Sequence, residues 1–363
     1  MLRLILLITP FWIAIESNNL TFPLRDSSVE RTKRENGAPG IEVTLYDYKR
    51  IIYYGIVGFG TPVQYLKLQF DTGSPVTWVC NQHRVKGLAM VQNTYSPSES
   101  GTHHVKNNWY NDRFGNYIVS GYIASDVARV HKEPFRTEFA VVNSHEGHSE
   151  QLKYTDGLFG LAAGHFNPGF KSTALDDMYA QGLITQRMFA FVFKRSGGDG
   201  TVIFGGYSKN QIPGRVHYVP LVRASPTVTS WIIRVESITC EDGTVLAENF
   251  SALLDTGSSR SYLPKSIIDG LFSGRWAITD ATGDITCDAM KEMPKLIVNL
   301  HRLHLSWYSK QYILQLDTGL CQPGIQAIDP SFPVQAILGL SFLRHYVTVF
   351  DVDNARVGFA GIV

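Results

Sequence analysis

Residues 70–74 read FDTGS, and residues 254–258 read LDTGS. A single Asp-Thr-Gly is weak evidence for any function, because average composition produces one by chance in roughly one chain in ten of this length, usually in a turn. Two copies, each directly after an apolar run, indicate that the chain contains the same unit twice.

Each motif is followed, at a similar distance, by two apolar residues and a glycine. The first half has Leu158-Phe159-Gly160, and the second half has Ile337-Leu338-Gly339. The separation is 89 residues from Asp71 to Gly160 and 84 residues from Asp255 to Gly339. The shared order and spacing predict two similar halves that arose by duplication.

Short β-branched and aromatic runs, broken by Gly, Pro, Asn and Ser, predict strands in both halves. The predicted strands are 51–59, 66–70, 117–129, 135–142, 189–193, 231–238, 296–300, 312–316 and 346–350. Helical patterns are few, at 172–181 and 265–272, with a turn at 342–345. We therefore expect an all-β fold of two lobes.

The size and charge of the chain exclude several classes of protein. Its 363 residues can form two substantial cores, so a small scaffold held together by disulfides is excluded. With 33 Lys and Arg against 32 Asp and Glu, the chain lacks the basic excess of a phosphate-backbone binder. We expect no nucleic-acid partner.

Residues 1–17 have the pattern of a secretory signal peptide. Arg3 precedes an apolar run at 4–15 that is too short to span a membrane comfortably and ends in polar residues. The alternative is an N-terminal strand or helix of the core. No later segment is apolar over 18 residues, so we expect no membrane partner after signal removal. The protein would then be secreted or lysosomal.

Residues 18–46 form a polar stretch without a core-forming period, which we interpret as a propeptide. The stretch contains RTKR at 31–34, a cluster that a trypsin-like processing protease can reach in a flexible segment. The alternative is a solvated linker with a coincidental charge run. On this division residues 47–222 form the N-terminal β lobe with the flap, and residues 223–363 form the C-terminal β lobe.

The duplicated motif predicts a specific chemistry. If the two halves pair about a twofold axis, Asp71 and Asp255 face each other, and two carboxylates about 3 Å apart cannot both ionise. The pair then shares one proton, so one carboxyl accepts a proton from a water while the other donates one to a carbonyl oxygen. Gly73 and Gly257 permit a tight turn beside the carboxylates, and the neighbouring Thr and Ser hydroxyls supply hydrogen bonds.

No cofactor is expected for this chemistry, which needs only the two carboxyl groups and water. Two histidine pairs, His145 with His148 and His301 with His304, have no third ligand in register and no His-Glu-x-x-His helix. We interpret them as exposed loop histidines and predict no metal site.

The sequence resembles the pepsin-like aspartic proteases over nearly the whole mature chain. Besides the two Asp-Thr-Gly-Ser segments, the motifs in family order are YGIVGFGTPVQ at 54–64, WV at 78–79, DGLFGL at 156–161, FGG at 204–206, AILG at 336–339, FD at 350–351 and VGFA at 357–360. The resemblance implies a bilobal β fold with the active cleft between the lobes, and aspartic endopeptidase activity.

The resemblance also implies roles for single residues. Asp71 and Asp255 would be the catalytic dyad. The residues that support them would be Thr72 and Thr256 in a cross-lobe hydrogen-bond lattice, Ser74 and Ser258 bonded to the carboxylates, and the intervening Gly73 and Gly257.

The resemblance also implies a cysteine pairing, and the sequence itself contains a glycosylation sequon. Cys287 and Cys321 flank the segment that the family closes with a disulfide, whereas Cys80 and Cys240 lack the usual nearby partners and are left unpaired. Asn249 begins an N-glycosylation sequon, which is meaningful only in an exported chain.

The flap, the hairpin that covers the cleft in this family, departs from the family pattern at 113–121, RFGNYIVSG. Phe114 replaces the flap Tyr, so the ring can pack over substrate but lacks the hydroxyl that would bond toward Trp78. Gly115 is kept, whereas Tyr117 replaces the second glycine and should stiffen the tip. One neutral hydrogen bond is worth about 1 kcal/mol, so we expect slower turnover rather than none.

We expect a monomeric endopeptidase that prefers bulky apolar residues at the cleavage site and works at about pH 4 to 6. In stronger acid only the 33 Lys and Arg and the 11 His would be charged, which gives a large self-repulsion. The alternative is a protein of the same fold that has lost catalysis and holds peptides or a partner. Both Asp residues favour the enzyme, and the altered flap favours the binding protein.

Overall fold

The computed structural model describes residues 40–49, 52–82, 93–114, 117–147, 153–164, 169–194, 197–207, 209–210, 212, 215–222, 230–272, 287–315 and 321–362. The predicted signal peptide, most of the predicted propeptide and Gly115 of the flap lie outside these residues. The described chain is a mostly β protein of two halves, as the sequence predicts.

The first half contributes the strands β1 (Ile41–Tyr48), β2 (Ile52–Phe59), β3 (Gln64–Asp71), β4 (Trp78–Cys80), β5 (His104–Phe114), β6 (Tyr117–Val130), β7 (Glu133–Gly147), β8 (Gly157–Gly160), β9 (Met188–Val192), β10 (Gly200–Phe204) and β11 (His217–Pro220). Its helix α1 (Ala174–Ala180) is capped by Thr173, whose hydroxyl accepts a hydrogen bond from the backbone N–H of Asp176. A short 3₁₀ helix lies at Pro97–Glu99.

The second half contributes β12 (Ile232–Cys240), β13 (Val245–Leu254), β14 (Ser261–Leu263), β15 (Leu296–Leu300), β16 (Leu303–Trp307), β17 (Ile313–Gln315), β18 (Cys321–Pro323), β19 (Ile325–Ala327), β20 (Ala336–Leu338), β21 (Tyr346–Asp351) and β22 (Arg356–Gly361). Its helices are α2 (Lys265–Phe272), α3 (Ser309–Tyr312) and α4 (Leu340–Leu343), with a 3₁₀ helix at Cys287–Lys291.

Each Asp-Thr-Gly motif follows a strand that has the same neighbours in both halves. β3 pairs in parallel with β8, so that Asp71 lies opposite Gly160, and β8 pairs antiparallel with β4. In the second half β13 pairs in parallel with β20, and β20 pairs antiparallel with β14. The apolar-apolar-Gly segments form β8 and β20, which confirms the predicted duplication.

A sheet in the order β11-β22-β21-β9-β10-β1 joins the two halves. Within it β21 pairs antiparallel with β9. The rings of Phe189, Trp231 and Phe350 pack against each other with centroids 5.0 to 5.7 Å apart, and all three are buried. Burial of a large apolar side chain stabilises a fold by about 1.5–3 kcal/mol, so this cluster fixes one half against the other.

The first strand begins earlier than the sequence analysis places the lobe. β1 pairs with β10 and β2, and its side chains alternate between buried and partly buried from Ile41 to Leu45. Residues 41–46 therefore lie in the sheet, on the propeptide side of the predicted boundary at residue 46. The period-two pattern is short, and Glu42 and Thr44 on its outer face make the segment read as polar.

The disulfide that the family resemblance implies is present between Cys287 and Cys321. Cys80 and Cys240 are buried free cysteines. In the described ranges no helix combines the length and apolar character needed to cross a membrane.

Gly339, at the end of β20, has no room for a Cβ. A Cβ there would lie 2.0 Å from the carbonyl oxygen of Arg260 and 2.6 Å from that of Ser258, so the backbone would have to move. We expect Gly339→Ala to lower the free energy of unfolding by about 2 kcal/mol or more, measured by urea denaturation.

Gly361→Ala is the matched control, because no heavy atom lies within 4 Å of a Cβ at that position. Its effect should stay within about 0.5 kcal/mol. Equal destabilisation by the two substitutions would contradict the tight contact at Gly339.

Candidate active site

The two Asp-Thr-Gly loops meet at the junction of the two halves. A Cβ added at Gly73 would lie 2.7 Å from the Oδ1 atom of Asp255, and one added at Gly257 would lie 2.4 Å from the Oδ1 atom of Asp71. Each glycine is therefore in contact with the carboxyl group of the opposite half. The structure brings together the two carboxyl groups that the sequence analysis selects, and both are buried.

The hydrogen bonds to the two carboxyl groups are similar but not identical. Asp71 accepts from the backbone N–H of Gly73 at 2.7 Å and from the hydroxyl of Ser74 at 2.6 Å. Asp255 accepts from the backbone N–H of Gly257 at 2.8 Å, while its Oδ2 atom accepts from no described donor. The Asp71 and Asp255 carboxyl groups also lie within hydrogen-bonding reach of each other, and a bond between them requires a proton on one of the two.

Burial and mutual repulsion set the protonation of the pair. Burial raises the pKa of Asp71, and hydrogen bonds from Ser74, Asp255 and Gly73 oppose this rise. Burial, followed by the charge of Asp71, raises the pKa of Asp255 well above its ordinary value. The arrangement therefore favours an ionised Asp71 beside a protonated Asp255.

The hydroxyl of Ser258 differs from that of Ser74. The resemblance implies that both serines bond to a carboxylate, but Ser258 Oγ is buried and forms no hydrogen bond with any described residue. The implied contact is wrong for Ser258. The difference agrees with the charge of the pair, because a protonated carboxyl such as Asp255 needs fewer donors than an ionised one.

The two threonines of the motifs form a reciprocal lattice across the junction. Thr72 Oγ1 donates to the carbonyl of Leu254 at 2.8 Å and accepts from the N–H of Thr256 at 2.9 Å. Thr256 Oγ1 donates to the carbonyl of Phe70 at 2.7 Å and accepts from the N–H of Thr72 at 3.1 Å. These four buried bonds hold the two loops in register.

Two further hydroxyls support the loops, and the sequence analysis missed them. Thr77 Oγ1 accepts from the N–H of Gly160 at 3.1 Å, and Ser261 Oγ accepts from the N–H of Gly339 at 3.0 Å. Both residues stand six positions after the motif Asp, so a longer comparison of the two repeats would have identified them. They fix β8 and β20 against the loops.

The flap hairpin of β5 and β6 folds down onto Trp78. Phe114 lies with its ring 5.9 Å from the Trp78 ring, and Tyr117 stacks on Phe114 at 5.4 Å. Phe114 and Tyr117 are buried in one apolar cluster with Trp78. Trp78 Nε1 is buried and donates to no described acceptor, as expected where a phenyl ring replaces a phenol.

Because Trp78 Nε1 has no acceptor among the described residues, a hydroxyl restored at position 114 tests the missing flap bond. We expect Phe114→Tyr to raise kcat/KM for a peptide by about fivefold, because one neutral hydrogen bond is worth about 1 kcal/mol. The increase should disappear when Trp78→Phe is combined with it, compared with Trp78→Phe alone. An equal increase in both backgrounds would rule out the bond to Trp78 as its cause.

Comparisons with known proteins agree with this geometry. A family model of eukaryotic aspartyl proteases matches residues 52–362. Cathepsin E of Aquarana catesbeiana is 30% identical over 330 residues, which are 88% of this chain and 81% of the relative. Pepsin A of Rhinolophus ferrumequinum is 29% identical over 328 residues, which are 88% of this chain and 83% of the relative.

A solved structure shares the fold. The aspartic proteinase from Irpex lacteus superposes with a TM-score of 0.74 at 20% sequence identity, over 90% of this chain and 97% of the other. With the duplicated Asp-Thr-Gly loops, the shared fold and a family match over most of its length, this chain belongs to the eukaryotic aspartyl proteases.

Proposed function

We propose that the protein is an active acid endopeptidase in which Asp71 and Asp255 activate a water against a peptide bond. The observation that carries this proposal is the contact of two buried carboxyl groups whose environments differ, since burial and the charge of Asp71 raise the pKa of Asp255 well above its usual range. A pair that holds one proton contains both a general base and a general acid.

The reaction follows from that single proton. The ionised Asp71 takes a proton from the water as the water oxygen attacks the carbonyl carbon, and Asp255 gives its proton to the carbonyl oxygen. In the tetrahedral diol that results, one hydroxyl proton returns to Asp255 while Asp71 passes its proton to the amide nitrogen. The C–N bond then breaks, and the pair returns to its starting state with one proton.

Apolar surface beside the dyad supports a preference for bulky apolar residues at the cleavage site. Along β13, Leu254 points into the main core, so Leu253 and Asp255 lie on the opposite face by strand alternation. On that face Leu253 packs with Tyr262 and Ile337. The flap cluster supplies apolar rings from the first half, so an extended peptide would meet apolar side chains of both halves.

The proposal includes an exported, monomeric and glycosylated protein. Residues 1–17 would direct secretion, residues at and before the RTKR cluster would be removed, and the final location would be extracellular or lysosomal. Asn249 supports glycosylation because it is exposed, in the middle of β13 at a residue whose backbone φ is 58°.

A second candidate is a peptide-binding protein of the same fold that does not cleave. The altered flap favours it, because Phe114 leaves Trp78 Nε1 without a described acceptor and Tyr117 fills the apolar cluster beneath the flap. Both candidates keep the cleft, so only a reaction separates them.

The activity test compares the secreted protein with an isosteric variant. We expect the wild type to cleave denatured haemoglobin, with inhibition by pepstatin, and Asp71→Asn to lose at least about 100-fold in rate because the general base is gone. A near-wild-type unfolding temperature would show that the variant is folded. A folded wild type that binds peptides without cleaving them would support the second candidate.

The same assay tests the pH dependence. Because burial raises the pKa of Asp71, its protonation should end activity in acid near or above the ordinary Asp value of about 3.9, and loss of the proton of Asp255 should end activity at higher pH. We expect a bell-shaped kcat/KM with its maximum at about pH 4 to 6. A rate that still rises below about pH 3 would contradict the assignment.

Asp255 should also reduce stability at neutral pH. A carboxyl group whose pKa is raised in the folded state stabilises that state below the unfolded pKa, and this stabilisation is lost as the pH rises through the folded pKa. We therefore expect Asp255→Asn to raise the unfolding temperature relative to wild type more at about pH 7 than at about pH 4. Asp288→Asn, at an exposed carboxyl, is the control and should show no such increase. If the gain in unfolding temperature of Asp255→Asn over wild type is smaller at neutral pH than in acid, the raised pKa of Asp255 is contradicted.

A further inference from the structure

Arg260 is a buried cation that the proposed reaction does not use. It stands five residues after Asp255, just before β14, and only 7% of the residue is exposed. Its guanidinium donates one hydrogen bond to a described residue, from Nη2 to Oε1 of Gln322 at 3.0 Å. Buried arginines are normally paired with an acid, yet Arg260 forms no ion pair with any carboxylate in the described ranges.

No carboxylate among the described residues compensates the charge of Arg260. Burial lowers the pKa of the Arg260 guanidinium, and the neighbouring phenol of Tyr262 opposes this only in part. Gln322 is neutral, so it orients the guanidinium without balancing its charge. A guanidinium stays protonated in proteins at any pH at which this enzyme works, so a positive charge persists here.

The strand after Arg260 indicates which side of the sheet it occupies. In β14, Ser261 bonds to Ser341 and Leu263 belongs to the main core, whereas Tyr262 packs on the other face with Leu253. Arg260 directly precedes Ser261, so alternation along the chain places it on the face of Tyr262. Since Asp255 shares the face of Leu253, Arg260 and the dyad belong to the same side of the second half.

A carboxylate is the group that would balance Arg260, and the described ranges supply none. A guanidinium presents five N–H donors in a planar fork that matches the two oxygens of a carboxylate, and in a desolvated setting such a pair is strong and specific. An extended peptide in the cleft passes the face that carries Asp255. Asp or Glu side chains of that peptide can therefore reach this face.

We propose that Arg260 binds the carboxylate of an Asp or Glu side chain of the substrate, at a position removed from the scissile bond on the side of the second half. Arg260 then determines specificity and takes no part in the proton transfers. This inference rests on the proposed function, because it assigns the occupant of the same cleft. It predicts a protease that requires apolar residues at the cleavage site and favours one acidic residue at a distance from it.

The test uses peptides of about ten residues with an apolar cleavage site. Glu and its neutral isostere Gln are placed in turn at each position within about four residues of the cleaved bond. At about pH 5.5 the Glu side chain is mostly ionised. At one position, wild type should cleave the Glu peptide with a kcat/KM about tenfold or more above that of the Gln peptide.

The ratio of the two rates separates specificity from stability. In Arg260→Gln the Glu to Gln ratio should fall to about one, whatever happens to the overall rate, and Arg260→Lys should keep part of the preference because it keeps the charge. Arg234→Gln, which removes an exposed arginine on β12, is the control and should leave the ratio unchanged. A wild-type ratio of one at every position, or a ratio that survives Arg260→Gln, would overturn the proposal.

Binding keeps the proposal testable even if cleavage fails. Fluorescence anisotropy of the labelled Glu and Gln peptides can be measured with Asp71→Asn, alone and combined with Arg260→Gln. Tighter binding of one Glu peptide that depends on Arg260 would support the acid site. If the wild type then cleaves neither peptide, only the proposed function is defeated. Equal binding of both peptides in the two proteins would defeat the acid site.

Discussion

The reciprocal bonds between Thr72 and Thr256 are the interaction on which the site depends. Each hydroxyl uses its donor and an acceptor lone pair on the backbone of the other half, so neither half can complete its loop alone. The bonds are buried, where an unmade donor or acceptor is costly. The two carboxyl groups are thus brought together by the hydrogen bonds that the surrounding backbone groups require.

The same burial that makes the carboxyl groups reactive opposes their ionisation. Asp71 and Asp255 are kept at the junction by hydrogen bonds from their own loops, while the surrounding β3, β8, β13 and β20 supply the apolar packing that excludes water. Stability is greatest when both carboxyl groups are protonated, whereas the proposed reaction needs Asp71 ionised.

Much of the fold could be predicted because duplication doubles every signal. Two copies of one motif with matched spacing are enough to place β8 and β20 beside the loops, although either copy alone is a common turn. β1 was hidden because its outer face is polar, and the first strand has no motif to mark it. The uneven roles of Ser74 and Ser258 follow from side-chain rotamers and the charge of the pair, which identical tripeptides do not encode. Arg260 reads as an ordinary surface residue until its burial is known.

The sheet that joins the halves also constrains how the protein is made. Phe191 in β9 lies opposite Thr348 in β21, so this sheet is assembled from segments far apart in the sequence. During translation the first Asp-Thr-Gly loop leaves the ribosome long before β21 and β22 exist. A nascent chain that has been made only as far as the first loop has one of the two dyad carboxyl groups and an unfinished sheet. It therefore cannot hydrolyse the proteins around it. Long-range pairing of this kind is slow to form, and here it postpones proteolysis until β9 has paired with β21.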